Sequence, residues 1–461
     1  MKTYQDLTNI GESEESRMSF VGEVISEHTA SDIYQTAKIA DEYAKHQNRT
    51  ITQYQKLLYT ISGKAVPDNW SANYKIPSNF FNRFVTQECQ YLLGNGVSWV
   101  NDSTADRLGN DFDVRLQDLG KKALIGGAGF GFYNLDHLEV FSVLEFAPLY
   151  DEENGALMAG VRWWQIDNTK PLRATLYEPD GYTDYIWIKG KGQVLKEKRS
   201  YKINVRYTEA DGVEIYDGEN YDTFPIVPLY ANRNKQSELI GLRESIDAYD
   251  LIRSGACNDI DDASLIYWTI NNAGGMDDID LAEFVHRMKT VKAVALQDGQ
   301  QAEAHTMETP YNAREAILDR LRRDMYRDAM ALDTETIASG AVTATQILAS
   351  YEPLNAKCDE FEYCVIDFVQ GVLRIAGIED NPTFTRSMII NRTEEITNLI
   401  QASEYLDSEY ITGKILSVLG DADKAEEMLK KMADDEVDRA RIQREAYEEA
   451  QQEEPQQEGE E

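Results

Sequence analysis

Residues 76–99, IPSNFFNRFVTQECQYLLGNGVSW, decide how this chain is read. Phe81, Phe84, Val85, Leu92 and Leu93 recur at steps of three, four and seven, the spacing of one helix face. Pro77 and Ser78 precede that run. Proline pre-sets φ for a first turn and serine can accept from free backbone N–H groups, so the pair predicts a helix start. Gly94-Asn95-Gly96 predicts a stop, because glycine tolerates the left-handed conformation that ends a helix. Val97-Ser98-Trp99 then turns extended. Nothing in the segment is catalytic by residue type.

Working outward, the period changes twice. Residues 1–75 read as mostly helical with polar loops, and 113–124 as a helix leading into the cluster Gly126-Gly127-Ala128-Gly129-Phe130-Gly131. From there to about residue 228 apolar residues alternate, which predicts strands at 141–146, 159–166, 173–177, 185–189, 201–207 and 213–216. Helical spacing then returns over 237–271, carried by Leu242, Ile246, Tyr249, Ile252, Ala256, Ile260 and Ala263. A small mixed segment follows, with strands expected at 291–296 and 302–307. Residues 311–332 predict a second helix, in which five arginines are nearly cancelled by Glu315, Asp319, Asp324 and Asp328, with Asp319 and Arg323 spaced as an i,i+4 pair. After a polar loop at 333–342, Thr343 with Gln346 makes a capping box for a helix running to about residue 376, kinked at Pro353. Residues 391–450 predict two or three helices, and QQEEPQQEGEE predicts disorder.

Bulk properties narrow the function. The chain has 461 residues and a net charge of −35. Sixteen acidic and six basic residues fall in 421–461, so about −25 remains on the rest. Such a chain is soluble and on average repels nucleic acid. That excludes gripping DNA through cations that displace counterions; it leaves open a protein past which DNA slides. No apolar run reaches the ~20 residues of a membrane helix. The start, MKTYQDLTNIGESEES, has no signal core, so synthesis in the cytoplasm is expected. Cys89, Cys257, Cys358 and Cys364 form no C-x-x-C pair and are expected as buried free thiols. The five histidines show no metal spacing.

Each chemical reading has a plainer competitor. The glycine cluster follows a helix and precedes a strand, the reverse of a dinucleotide fingerprint, so a glycine-rich turn is the better reading. The groups Asp259/Asp261/Asp262 and Asp277/Asp278/Asp280 are what 81 acidic residues produce by chance, and read as solvated faces. Trp163, Trp164, Tyr177, Tyr185, Trp187 and Tyr201 could make a sugar platform, but alternating aromatics more often pack a sheet. No nucleophile elbow, zinc-protease or kinase signature is present. No catalytic, cofactor or metal residue is expected.

Four stretches taken in order carry a resemblance. These are YKIPSNFFNRFVTQECQYLLGNGVSW, ALIGGAGFGFYNLD, FPIVPLYANRNKQSELIGLRESIDAYDLIRSGACNDIDD and SGAVTATQILASYEPLNAKCDEFE. The sequence resembles the portal proteins of tailed bacteriophages, of the type found in long-tailed phages of Gram-positive hosts, over about residues 73–376. It departs from them in having Gly96 where proline is common. The resemblance implies an α+β, portal-like subunit: a mixed α/β wing (1–236), a two-helix stem (237–271 and 311–332), a small α/β clip (272–310), a tunnel loop (333–342), a long kinked wing helix (343–390), a helical crown (391–450) and a disordered acidic tail (451–461).

It also implies a non-enzymatic homo-oligomer, a ring of twelve at one capsid vertex of the virion, made in the host cytoplasm. Its partners would be the terminase large subunit, the major capsid and scaffolding proteins, a head-completion adaptor, and double-stranded DNA passing through without sequence-specific binding. The DNA-facing loop residues would be Thr334, Glu335, Thr336, Ile337, Ala338, Ser339, Gly340, Ala341 and Val342. The clip contacts would include Val291, Lys292, Val294, Gln297, Asp298 and Glu303. An acidic lumen would keep friction low. The competing functions are another virion ring protein of tail or baseplate, and a glycoside hydrolase.

Overall fold

The computed structural model describes residues 2–11, 13–59, 63–69, 71–101, 103–188, 190–207, 214–263, 267–271, 301–305, 311–335, 344–387, 392–403, 405–419, 428–432 and 441–442. They fall in two units, Met1–Ser387 and Met388–Glu461.

The first unit begins with helices α1 (Tyr4–Asn9), α2 (Glu14–Ala30), α3 (Asp32–Ala44) and α4 (Arg49–Thr52), then a hairpin of β1 (Leu57–Tyr59) and β2 (Ala65–Pro67). The segment that opened the reading is α5 (Phe80–Leu93). Its N-cap is Asn79, not Ser78. Ser78 is buried instead, with its backbone N–H donating to Asp250 Oδ1 at 2.8 Å. No side-chain cap bond forms at this end, and the segment ahead of α5 is held by a tertiary carboxylate instead. At the other end Gly94 stays right-handed and Gly96 turns left-handed (φ +75°). A Cβ at Gly96 would lie 2.5 Å from Asp113 Oδ2, so both the backbone angle and the space demand glycine there.

Short β3 (Val97–Ser98) and α6 (Ser103–Leu108) lead to α7 (Phe112–Gly126). The glycine cluster is a helix-to-strand turn, as the plainer reading had it. Gly127 is the left-handed cap of α7 (φ +86°), and its missing side chain leaves room for the backbone of Lys235–Ser237. β4 (Ala128–Asn134) then pairs with β5 (His137–Ser142) and with β13 (Ile226–Tyr230). This small sheet packs with α3, α5, α7 and the long helix α10 (Ala344–Ala376) around the larger core, which includes Phe81, Phe84, Leu92, Leu116, Phe130, Phe361 and Phe368. Pro353 lies inside α10.

A second core lies where α1 and α2 cover a five-stranded antiparallel meander, β6 (Phe146–Tyr150), β7 (Leu157–Trp164), β8 (Leu172–Glu178), β9 (Gly181–Ile188) and β10 (Lys191–Arg199). The strand predicted at 141–146 is two strands separated by a turn, in which Glu145 Oε1 accepts the Ser142 N–H at 2.9 Å. β10, KGQVLKEKR, is a strand that its charge hides from a pattern search. Trp163, Tyr177, Tyr185 and Tyr201 are buried, which makes them packing residues rather than an open sugar platform. A further hairpin joins β11 (Lys202–Tyr207) to β12 (Glu214–Glu219).

The helix expected over 237–271 is shorter: α8 spans Arg243–Ala263. Residues 267–271, Tyr-Trp-Thr-Ile-Asn, form β14 (Tyr267–Asn271), which pairs with β15 (Gln301–His305). Aromatic and β-branched residues favour that extended form. The helix expected over 311–332 is α9 (Tyr311–Asp328). It ends where Met330 turns left-handed (φ +52°), with the Ala331 N–H on Tyr326 O and the Met330 N–H on Arg327 O, a Schellman stop without glycine. Arg323 reaches the Asp319 carbonyl rather than its carboxylate. β16 (Thr383–Phe384) closes the unit against β3.

The second unit contains α11 (Arg392–Ala402) and α12 (Ser408–Leu419), two of the helices expected there. The capping box at Thr343 and the tail 451–461 lie outside the described residues.

Candidate functional site at the root of the helix pair

α8 and α9 run antiparallel, tied near their far end by an Arg314–Asp259 ion pair. At the near end one aromatic ring touches both. Phe80 of α5 meets Tyr249 of α8 edge-on at 5.1 Å and Tyr326 of α9 at 6.2 Å, while Phe84 meets Tyr326 at 5.1 Å. Arg83 donates to Tyr326 Oη at 2.8 Å. Thus the apolar face of α5, read from sequence as a core face, is also the seat of the pair.

One side of α8 is held by a polar ladder. Asp250, Ser254 and Asn258 stand four residues apart and so share a face. They accept the backbone N–H groups of Ser78, Ile76 and Tyr74 at 2.8, 3.0 and 2.6 Å. The extended segment before α5 is thereby stitched along the helix. All three side chains are buried. Burial raises the Asp250 carboxyl above its usual range, partly offset by hydrogen bonds from Asn48 and Ser78. The apolar pattern described this helix incompletely: Ile246 is buried, whereas Ile260 is exposed.

Where α9 ends, a half-buried lysine gathers four elements. Lys357 of α10 places Nζ 2.8 Å from Glu88 of α5, 2.7 Å from Glu238 ahead of α8, and 3.2 Å from the Ala329 carbonyl just past α9. Burial pushes the Glu88 carboxyl up to about 7, against the pull of Lys357. Burial alone would lower Lys357, but the two carboxylates outweigh it and its pKa is raised, so it is charged at neutral pH. Beside this, the Gln87 amide brackets Leu332, donating to its carbonyl at 3.0 Å and accepting its N–H at 2.9 Å. The chain thus enters residues 333–342 from a fixed point.

A group whose folded pKa lies above its unfolded value stabilises fully below the unfolded pKa and loses that contribution as pH rises. For Glu88 the window runs from about pH 4.5 to about 7. Wild type is expected to lose on the order of 3 kcal/mol across it from this group. Glu88→Gln should flatten that slope in urea titrations at successive pH values; an unchanged slope would refute the assignment.

The residues named from sequence are only partly brought together. Of the loop set, Thr334 and Glu335 are described, with Glu335 paired to Arg322, which also lies 3.7 Å from Asp333. Thr336, Ile337, Ala338, Ser339, Gly340, Ala341 and Val342 lie outside the described residues, as do Val291, Lys292, Val294, Gln297 and Asp298. Glu303 is in β15, opposite Thr269 of β14. Asp259, read as part of a solvated acidic face, pairs with Arg314. Missed in the sequence were Lys357, Glu88, Glu238, Gln87 and the ladder of Asp250, Ser254 and Asn258. Two signals were present: Glu88 falls at i+4 from Phe84 inside an apolar stripe, and the ladder residues repeat at steps of four.

Burial pushes the Cys89 and Cys358 thiols up to about 12, so neither is a ready nucleophile. His28 is buried with Nε2 2.8 Å from the Val143 carbonyl, and burial lowers its pKa. Among the described residues no group of His, Cys, Asp or Glu could hold a metal ion, and no helix is long and apolar enough to cross a membrane.

The mixed α/β body seats the antiparallel helix pair on aromatic and ionic contacts. The chain belongs to the phage portal proteins of the SPP1 Gp6-like family, whose description matches residues 40–439. It is 24% identical over 360 residues to the portal protein of Clostridium phage phiCD119, covering 70% of this chain and 77% of that one. It is 24% identical over 399 residues to the portal protein of Bacillus phage SPP1, covering 80% and 76%. Among solved structures, a chain from the neck of an empty GTA particle computed with C6 symmetry is similar at TM-score 0.45 and 11% identity, over 74% of this chain and 90% of that one. A chain from the neck of a native GTA particle computed with C12 symmetry is similar at TM-score 0.44 and 11% identity, over 73% and 89%.

Proposed function

We propose that this portal protein assembles as a ring of twelve at one capsid vertex and forms the channel through which double-stranded DNA is packaged and ejected. In this reading α8 and α9 are the stem, residues 272–310 are the clip that docks the terminase large subunit and later the head-completion adaptor, and residues 333–342 are the tunnel loop. Residues 1–236 with α10 are the wing, in contact with capsid and scaffolding proteins, and the second unit is the crown. The ring is a structural part and the motor does the work. The observation that carries the reading is the state of α9. In a single chain it is exposed along most of its length and buries only Met325 and Tyr326 near its end. A polar helix so bare needs neighbours to be stable.

Negative-stain microscopy of purified protein should show rings with a central hole; a monodisperse monomer at high concentration would overturn the proposal. Gly340→Trp or Ala341→Trp should leave rings intact and lower DNA packaging or retention several-fold. Normal DNA content in particles carrying either substitution would remove residues 333–342 from the channel.

A further inference from the structure

α9 carries a stripe that the described residues of its own subunit leave largely unanswered. Arg320, Arg323 and Arg327 follow at steps of three and four, within an arc of about 60° on a helix of 100° per residue. Arg314 and Met325, which face α8 and the core, lie on the opposite side. Arg320 and Arg327 have side chains 82% and 78% exposed, and both lean on the single carboxylate of Asp324, at 3.7 and 3.3 Å. Arg320 and Arg327 thus share one counter-ion and Arg323 reaches only the Asp319 carbonyl, so the stripe keeps donors free for an anionic partner.

We infer that this stripe is one half of a contact with a second copy of the chain, and that Glu244 of the neighbour's α8 answers Arg327. The inference rests on the ring proposed above. A ring contact is heterologous, so two different surfaces must match. Rotation about the ring axis keeps every residue at its own height, so matching groups on the two stem helices must be level. Heights are fixed within the subunit, because Arg314 stands opposite Asp259 and the Phe80 ring touches both Tyr249 and Tyr326. Counting from those rings at 1.5 Å per residue, Glu244 and Arg327 differ by about 6 Å along the pair, within an arginine's reach. Glu244 is exposed and has no hydrogen bond or ion pair with any described residue. Phosphate is the other anion in reach of a ring, but a cationic stripe repeated around a channel would hold DNA in place by counter-ion release and oppose sliding.

The test is a charge swap read by mass photometry and negative stain on full-length protein, with wild type alongside. Arg327→Glu and Glu244→Arg should each lower the ring fraction at least five-fold, and the double variant should recover most of it. Wild-type rings should weaken as salt rises, because exposed pairs are screened. Circular dichroism should be unchanged in all variants, since both side chains are exposed. Failure of the double variant to recover would overturn the pairing while leaving the ring in place; absence of wild-type rings would overturn the ring itself. If Arg320→Glu/Arg323→Glu/Arg327→Glu keeps its rings and instead loses DNA retention, the stripe faces phosphate and the inference falls.

Discussion

Lys357→Met should cost about 3–5 kcal/mol, because it removes the cation shared by buried Glu88 and half-buried Glu238. The loss is not that of a surface ion pair. The Lys357 side chain is 14% exposed and that of Glu88 3%, so water cannot replace the missing partner. The effect should appear as a lower urea midpoint by tryptophan fluorescence, since Trp99 packs against the same core. A triple variant, Lys357→Met with Glu88→Gln and Glu238→Gln, should regain most of the stability, because amides in a buried site cost less than unpaired charges. A Lys357→Met protein within about 0.5 kcal/mol of wild type would show that the cluster is solvated and bears no load. Position should change along with stability. The lysine is where α5, α10, the start of α8 and the end of α9 meet, so amide exchange at residues 329–332 should speed up even where the rest of the unit stays folded.

Phe84→Ala is expected to cost about 3–5 kcal/mol, the usual range for deleting a buried aromatic ring. Phe84 is 3% exposed, meets Tyr326 edge-on and packs against Phe80 at a tilt. Phe84→Leu keeps an apolar group in the space and should cost less, about 1–2 kcal/mol. Ring assembly separates packing from positioning. If the aromatic seat aims the helix pair, Phe84→Ala should lower the ring fraction at temperatures where the monomer is still folded. Rings assembled at wild-type yield by a measurably destabilised Phe84→Ala protein would confine Phe84 to the core.

These two residues divide what was legible in the sequence from what was not. Phe84 could be read directly, because its spacing from Phe81, Val85 and Leu92 marks a buried helix face. Lys357 could not. Its partners are 269 and 119 positions away, and no local rule links a lysine in PLNAKCDEF to a glutamate in FVTQECQ. Ser78 shows the same limit from the other side. Local chemistry made it a cap, but the cap position is Asn79, and Ser78 is buried with its backbone N–H on the Asp250 carboxylate, 172 residues on. The strand β10 escaped because a strand exposed on one face and rich in charge has no alternating apolar signal. The early stop of α9 escaped because Met330 adopts a conformation usually left to glycine.

By itself the sequence determined the existence and order of the long helices and most strands, the strong net acidity, the absence of a recognised catalytic motif, and a resemblance to portal proteins, the family to which the chain belongs. Those properties are local or compositional, and they follow from periodicity, glycine placement and charge. Only the tertiary structure decided how the helix pair is seated: the aromatic contacts of Phe80 and Phe84, the ladder of Asp250, Ser254 and Asn258, and the lysine that joins four elements. Buried polar groups must find partners wherever the fold brings them, and the identity of those partners is a property of three-dimensional proximity that spacing along a chain does not encode.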